Sequence, residues 1–426
     1  MEFKKPRGTR DFLFEDMIER KYVEHTIRQV VENYGFKEIK TPIFEDLELF
    51  TTKSGEGIKG ELYHFKDKGE RDLALRPELT ASVARLYNNN LQKTVKPLKM
   101  YYFGSCFRYE RPQAGRFRQF WQFGVEVIGG TSIYNEAELI AMVNKILSKL
   151  KINNYEIAIG HLGIIKGVLT KLGIDSEHQT KIIASIDKED YDLLNQLLND
   201  CEVTDENKDI ITSIINVQGN RNDLNTIKPL LEDFEESLEA LNELDNILEI
   251  VEVFGFEDYN VKLSIARGLD YYTGLVFEVY VPDLGAEKQI TGGGTYNLMS
   301  LFDSEEVEST GFAIGFDRVM EAYHRQNIEI PQNTAPKALV VPIKKDFVKE
   351  SINIAQILRN NNIMTDIDLK GKKLKKNLSY ANTHDINKVI IIGQNEIETE
   401  TVTIKDMNTG EQNTVKNSEI IKYIRN

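Results

Sequence analysis

Apolar residues at Ile18, Tyr22, Val23, Ile27, Val30, Val31 and Tyr34 recur every three to four positions, which predicts a helix over Asp16–Tyr34 stopped by Gly35. An extended stretch from Phe36 to Phe44 follows, and Pro42 inside it suits an edge or an interface better than a sheet centre. The pattern then switches to short alternating segments, Leu62–Lys66, Asp72–Leu75, Lys99–Glu110 and Arg118–Ile128, which predict antiparallel sheet. A helix over Glu136–Leu150 and a strand over Tyr155–Gly160 complete this part.

Leucine and isoleucine at helical spacing but few strand signals mark residues 174–260 as a small helical insertion. Sheet-like sequence resumes over Val261–Tyr280 and Glu287–Gly292, and a helix opens near Gly315 and runs to about His324. The polar stretch between Pro331 and Pro336 reads as a linker. Strands at Ala338–Val341, Ile363–Leu369 and Lys388–Ile392 alternate beyond it with helices at Phe347–Leu358 and Leu374–Ala381. That order predicts a mostly parallel sheet closed by Thr401–Asp406. The expected fold is an α+β domain over 1–330, an antiparallel sheet flanked by helices and interrupted by the insertion at 174–260, followed by an α/β domain over 335–426.

A chain of 426 residues has room for two or three compact units. No apolar run approaches the roughly 20 residues of a membrane span, and MEFKKPRGTRDFLFED lacks the apolar core of a secretory signal. Cys106 and Cys201 cannot staple a fold of this size, so a reducing cytoplasm is expected. The net charge of −14 argues against a nucleic-acid partner until its distribution is read. Residues 174–260 hold 23 acidic against five basic residues, a balance of −18, so the remainder carries +4. Residues 335–426 alone hold 15 basic against 11 acidic residues, and their run LKGKKLKK, Leu369–Lys376, fits either a solvated helix start or an RNA backbone contact.

Candidate chemistry concentrates in Met100–Gly129, where strand parity separates two faces. Odd positions such as Phe103, Phe107, Tyr109, Trp121, Phe123, Val125 and Val127 are apolar, whereas even positions include Arg108, Glu110, Phe120, Gln122 and Glu126. The polar face alone fits a solvated surface with cross-strand ion pairs as well as it fits a site. The connecting loop tilts the balance towards a site over a surface made basic for solubility. Arg111, Arg116 and Arg118 beside Pro112 and Gly115 supply guanidinium forks suited to a polyphosphate, and Phe120 offers a flat surface to a base. The six histidines show no HExxH spacing, which leaves catalytic zinc unsupported, and His161-Leu162-Gly163 lacks the partner motif of class I synthetases. Gly292–Gly294 does not open a helix, so a tight sheet turn or a close backbone approach is expected there rather than a phosphate cradle.

This strand, loop and return strand resemble motif 2 of the class II aminoacyl-tRNA synthetases. Three further segments narrow the resemblance to the histidyl-tRNA synthetase family, LRPELT (Leu75–Thr80), ARGLDYYTG (Ala266–Gly274) and GFAIGFDRV (Gly311–Val319) as motif 3, while RGTRDF near the start and YGFKEIKTPIFE, with Pro42, resemble its opening segment and motif 1. LRPELT and Asp317 resemble the archaeal and eukaryotic branch. The chain departs from the family at GGGTYN (Gly292–Asn297), where GGRYD is common.

The resemblance implies a histidine–tRNA ligase: the carboxylate of L-histidine attacks the α-phosphate of ATP, pyrophosphate leaves, and the aminoacyl group passes to the 3′ end of tRNA(His). It implies Arg108 and Arg267 at the α-phosphate, Arg116 and Arg318 at the outer phosphates, Glu110 at the adenine amino group and Phe120 stacked on the ring. Glu126 and Tyr272 would take the imidazole, Glu78 and Gln122 the α-amino group, with Thr80 and Tyr271 lining the pocket. Arg111 and Gln113 would meet the acceptor end of the tRNA. Magnesium would bridge the ATP phosphates, with no protein metal centre implied, motif 1 would form a homodimer, and the C-terminal domain would read the anticodon. The rival of another class is a non-catalytic histidine-sensing paralog that regulates histidine biosynthesis; such paralogs commonly lack the anticodon domain and erode the ATP motifs, and this chain keeps both.

Overall fold

The computed structural model describes residues 3–54, 56–109, 116–130, 132–265, 272–297, 307–331 and 337–425. Two compact units emerge, Met1–Ile330 and Pro331–Asn426.

The first unit opens with α1 (Phe14–Asn33), which starts two residues before the predicted Asp16 because the Asp16 carboxylate accepts the Leu13 amide at 3.2 Å and caps the helix. The predicted extended stretch divides into β1 (Lys37–Glu38) and β2 (Phe44–Asp46). Next come α2 (Leu47–Ser54), β3 (His64–Lys66), β4 (Asp72–Leu75), α3 (Thr80–Leu86), β5 (Leu98–Phe107) and β6 (Gln119–Ile128). Then follow α4 (Ile133–Lys149), β7 (Glu156–His161) and α5 (Leu162–Lys171). Helices α6 (Ser176–Asp187), α7 (Tyr191–Asp200), α8 (Asp205–Ile215) and α9 (Glu235–Val253) fill the acidic segment, with the short strands β8 (Gln218–Gly219) and β9 (Asn260–Lys262). Last come β10 (Tyr272–Tyr280), β11 (Gln289–Tyr296), β12 (Ser309–Gly315) and α10 (Phe316–Arg325).

Nine of these strands form one sheet in the order β1-β5-β6-β12-β11-β10-β7-β9-β8, antiparallel except where β1 joins β5 and β7 joins β9. A separate three-stranded sheet, β2-β4-β3, carries the segment leading into Arg76. Odd residues Phe123, Val125 and Val127 are buried among α1, α4 and α5, and Phe123 stacks on Tyr101 at 5.4 Å, as strand parity requires. The acidic segment is not packed as a separate body. Its Ile182, Leu198, Ile211 and Leu244 continue the same buried cluster, α9 lies on α4 and α5, and β8 and β9 extend the main sheet. Its charges therefore lie on helix faces turned away from a shared core.

Gly292–Gly294 is not a turn but the middle of β11. A Cβ on Gly293 would stand 2.4 Å from the Gly311 carbonyl oxygen, and one on Gly294 (φ +153°) 2.2 Å from that of Leu275, so the strands approach too closely for side chains.

The second unit holds β13 (Lys337–Pro342), α11 (Val348–Asn360), β14 (Met364–Ile367), α12 (Leu374–Thr383), β15 (Lys388–Ile392), α13 (Gln394–Glu398), β16 (Thr401–Asp406), β17 (Gln412–Lys416) and α14 (Ile420–Arg425). Its sheet runs β14-β13-β15-β16-β17, parallel among the first three and antiparallel thereafter. Strand β14 ends before the predicted Leu369 because buried Asp368 turns the chain, accepting the amides of Lys370 (2.9 Å) and Lys372 (2.7 Å) and the Asn377 amide group (2.7 Å). Helices α11 and α12 cover opposite faces of the sheet, so the loops after β13 and β14 diverge at its carboxyl edge. They present exposed Ile343, Lys344 and Lys345 on one side and Leu369, Lys370, Lys372 and Lys373 on the other.

The acid at position 136 is buried with no cation beside it among the described residues. Glu136 of α4 accepts the Thr295 hydroxyl on one oxygen and has no partner on the other, and burial, with Glu243 and Glu308 nearby, pushes its carboxyl up to about 8. The folded protein thus holds an extra proton between the ordinary value of 4.5 and about 8, and stability falls as pH rises through that window. Glu136→Gln abolishes this dependence: its melting temperature relative to the parent should be higher at pH 8 than at pH 5. An offset that stays constant across thermal melts in that range would refute the protonated acid.

Candidate active site

The active face of the main sheet is hollowed by missing side chains. At Gly104 a Cβ would stand 2.3 Å from the Arg76 guanidinium, at Gly124 2.4 Å from the Tyr102 ring, and at Gly311 2.1 Å from the Glu126 carboxylate. Arg76 is 4% exposed and uses that room to donate to the carbonyls of Thr41 (3.1 Å), Pro42 (3.1 Å) and Ser105 (2.9 Å). It thereby ties the Pro42 segment and the LRPELT loop to β5. Arg108 closes the same corner, donating through Nε to the Pro77 carbonyl at 3.1 Å with its guanidinium 5.2 Å from the Phe120 ring.

A cleft of about 550 Å³ opens beside it, lined by five of the residues singled out in the sequence: Arg108, Arg116, Phe120, Gln122 and Arg318. Arg318, on the first turn of α10, donates to the Gln289 carbonyl at 2.6 Å. Three guanidinium groups and an aromatic ring around one cavity form a site for a polyanion bearing a flat ring.

Next to the cleft lies a second cluster on the even face. Glu126 is 2% exposed, accepting the Tyr102 hydroxyl at 3.0 Å and the Tyr296 hydroxyl at 2.5 Å on separate oxygens. Burial raises its carboxyl to about 7, although both tyrosines and Thr80 act in the opposite direction. Tyr272 packs edge-on to Tyr296, and its carbonyl accepts Lys166 Nζ at 2.8 Å. Glu78 accepts the amides of Thr80 (2.7 Å) and Ala81 (3.0 Å), so its carboxylate caps α3 while standing in this cluster. Gln122 accepts the Cys106 thiol at 3.3 Å, and burial moves that thiol up to about 12, leaving it inert. Glu110, Arg111, Gln113, Arg267 and Tyr271 lie outside the described residues.

Tyr102, Arg76 and the Asp317 carboxylate are the members that the sequence reading passed over. Tyr102 shares the parity of Glu126 and was open to it; Arg76 and Asp317 act through partners 29 or more residues away in the chain.

A profile described as "Histidyl-tRNA synthetase" matches residues 8–319, and one described as "Anticodon binding domain" matches residues 337–426. The chain belongs to the histidyl-tRNA synthetase family. Histidine–tRNA ligase of Methanocaldococcus jannaschii is 46% identical over 99% of both chains. That of Methanosarcina acetivorans is 45% identical over 100% of this chain and 99% of its own. The crystal structure of histidyl-tRNA synthetase from Nostoc sp. PCC 7120 superposes with a TM-score of 0.82 at 26% identity, covering 100% of this chain and 99% of that one. Resemblance to the archaeal branch and the class II fold agree with these findings, and the full-length match, anticodon domain included, disfavours the regulatory paralog.

The synthetase's hollowed sheet face makes one stability prediction. Gly311→Ala places a methyl against both the Glu126 carboxylate and the Val125 carbonyl, the latter 2.4 Å away in rigid backbone. Overpacking of this kind costs about 1–3 kcal/mol, whereas Gly60→Ala, with nothing within 4 Å, should cost less than half as much. Urea denaturation of the two variants checks the ranking, and equal midpoints would contradict it.

Proposed function

We propose that this synthetase activates L-histidine with ATP and transfers it to tRNA(His), using the cleft and the adjoining Glu126 cluster. The observation that carries the reading is their juxtaposition on one sheet face: a cavity with three arginines and Phe120, beside a buried carboxylate held by two tyrosines. Phe120 stacks on the adenine ring while Arg318 and Arg116 neutralise the outer phosphates. Arg108 and Arg267 meet the α-phosphate where charge builds as the histidine carboxylate attacks in line, and Glu110 takes the adenine amino group.

In this reading Glu126 accepts an imidazole N–H from histidine and Tyr272 walls the ring, with Tyr271 and Thr80 completing the pocket. Glu78 and Gln122 orient the α-amino group. Arg111 and Gln113 face the acceptor end of the tRNA. Among the described residues the only carboxylate lining the cleft is that of Asp317, which Arg10, Arg20 and the Trp121 amide already engage, so the cleft offers magnesium no free carboxylate. Magnesium would instead be carried by the ATP phosphates and water, and would offset phosphate charge. Among the described residues no group of three or more protein ligands exists. Residues 1–330 act as the catalytic domain with 174–260 as its insertion, and 335–426 reads the anticodon. No helix of the described residues is long and apolar enough to cross a membrane, and the protein works as a homodimer in the reducing cytoplasm.

Pyrophosphate exchange with each of the 20 amino acids tests the first step: histidine alone should support it. Glu126→Gln should raise the KM for histidine at least tenfold with the KM for ATP nearly unchanged; equal rises in both would unseat Glu126 as the imidazole acceptor. The lysine loops at the carboxyl edge of the second unit are the tRNA contact expected from charge. Reversing Lys370, Lys372 and Lys373 to Glu should raise the KM for tRNA in charging about tenfold and leave tRNA-independent exchange intact. Unchanged charging at low salt would remove those lysines from the interface.

A further inference from the structure

The segment Gly8–Phe12 crosses the described end of the motif 2 loop. The Gly8 carbonyl accepts the amide of Arg118 at 2.9 Å, and Gly8 (φ +81°) has no room for a Cβ, which would stand 2.8 Å from the Arg118 side chain. Arg10 lies two residues on. Its guanidinium carbon stands 3.3 Å from the centroid of the Phe117 ring and 5.0 Å from that of Phe12. Its Nη2 reaches Asp317 Oδ1 at 2.8 Å. The same oxygen receives Arg20 at 2.7 Å, and Oδ2 accepts the Trp121 amide at 2.9 Å. Phe117 and Asp317 both border the cleft, and each is followed or preceded in the chain by one of its arginines: Arg116 before Phe117, Arg318 after Asp317.

We infer that Arg10 is a positioning residue for the nucleotide: by clamping Phe117 against the Asp317 carboxylate it fixes the spacing between Arg116 and Arg318. Arg10 itself does not line the cleft. The link is stiff at both ends, because Asp317 is only 5% exposed and locked by Arg20 and Trp121, and a guanidinium stacked on a ring constrains its plane as well as its distance. Loosening it leaves each phosphate-binding arginine present but their separation unset, and binding that depends on two groups acting together is lost before binding that depends on either alone. The inference rests on the assignment of Arg116 and Arg318 to the outer phosphates.

The test uses the full chain in histidine-dependent pyrophosphate exchange, with AMP as an inhibitor that has no outer phosphates. Arg10→Ala should raise the KM for ATP at least fivefold, with the KM for histidine and the inhibition constant of AMP changing less than twofold. Phe117→Leu, which removes the stacking surface and leaves the ion pair, should do the same, and the double variant should be no worse than either single one. Arg10→Lys should recover part of the loss by restoring charge without the planar stack. Equal losses of ATP, AMP and histidine binding would reduce Arg10 to general stability and overturn the inference, as would additive effects of the two single variants. Arg318→Ala separates the layers: a raised KM for ATP there with none in Arg10→Ala defeats only the inference, whereas an unchanged KM in Arg318→Ala defeats the phosphate assignment beneath it.

Discussion

The Asp317 carboxylate is the point on which the catalytic unit's geometry depends. It opens α10 immediately after β12, and it gathers the N-terminal segment through Arg10, α1 through Arg20 and β6 through the Trp121 amide. Nothing else in the described structure joins so many separately folded segments at one pair of oxygens beside the cleft. Burying a charge of this kind carries a desolvation cost of several kcal/mol. Charge-assisted hydrogen bonds return much of it, and Arg20 adds ring contacts to Phe12, Trp121 and Phe316 at 4.1, 4.8 and 4.8 Å. A hydrophobic substitute could be as stable. What the ion pairs supply is direction: an apolar contact would hold α10 against β6 at many angles, whereas three donors on two oxygens permit few, and Arg318 inherits that angle one residue later.

A second constraint is subtraction. Gly104, Gly124 and Gly311 lie at the sheet face where Arg76, Tyr102 and Glu126 put their polar groups, and each leaves room for one of them. The face is thus not an open surface onto which functional groups were added. It is a packed layer in which polar side chains occupy volumes vacated by neighbours on adjacent strands, and this is why Glu126 can be nearly inaccessible and still have a hydrogen bond on each oxygen.

How much of this could be read from the sequence depended on the range of the interaction. Helix α1, the hairpin β5–β6 and its two faces were legible, because period and parity are local properties. Strand β17 was not, since Gln412–Lys416 has no apolar alternation; it is an edge strand set up by the Asp406 turn, which caps the amides of Asn408 and Thr409, and by pairing to β16. The early end of β14 depended on one buried acid, Asp368, whose side-chain bonds leave no periodic trace. The acidic segment showed its helices but not its attachment, because the core residues it shares with α4 and α5 look the same whether they pack inward or among themselves. In the site, cleft residues were found as a group where a motif held them together. Tyr102 was within reach of the same parity argument, whereas Arg76 and the partners of Asp317 were missed because their meaning lies in contacts across distant segments.

With Glu126 as the proposed imidazole acceptor, the geometry of its cluster sets how that site would discriminate. Tyr102 and Tyr296 each donate to one of its oxygens, leaving lone pairs for a third donor, while burial holds the group near the boundary between its charged and neutral forms. An amino acid of similar size without a ring N–H would cover this carboxylate and deprive it of the remaining water without replacing the hydrogen bond. An unmet buried acceptor of that sort costs about 1–3 kcal/mol, more when charged, on top of the roughly 1–3 kcal/mol per methylene that shape alone provides. In the proposed reading, rejection therefore comes chiefly from what a wrong side chain fails to satisfy. The two tyrosines sharpen it by keeping the carboxylate from turning aside to another partner, so that the penalty cannot be relaxed away.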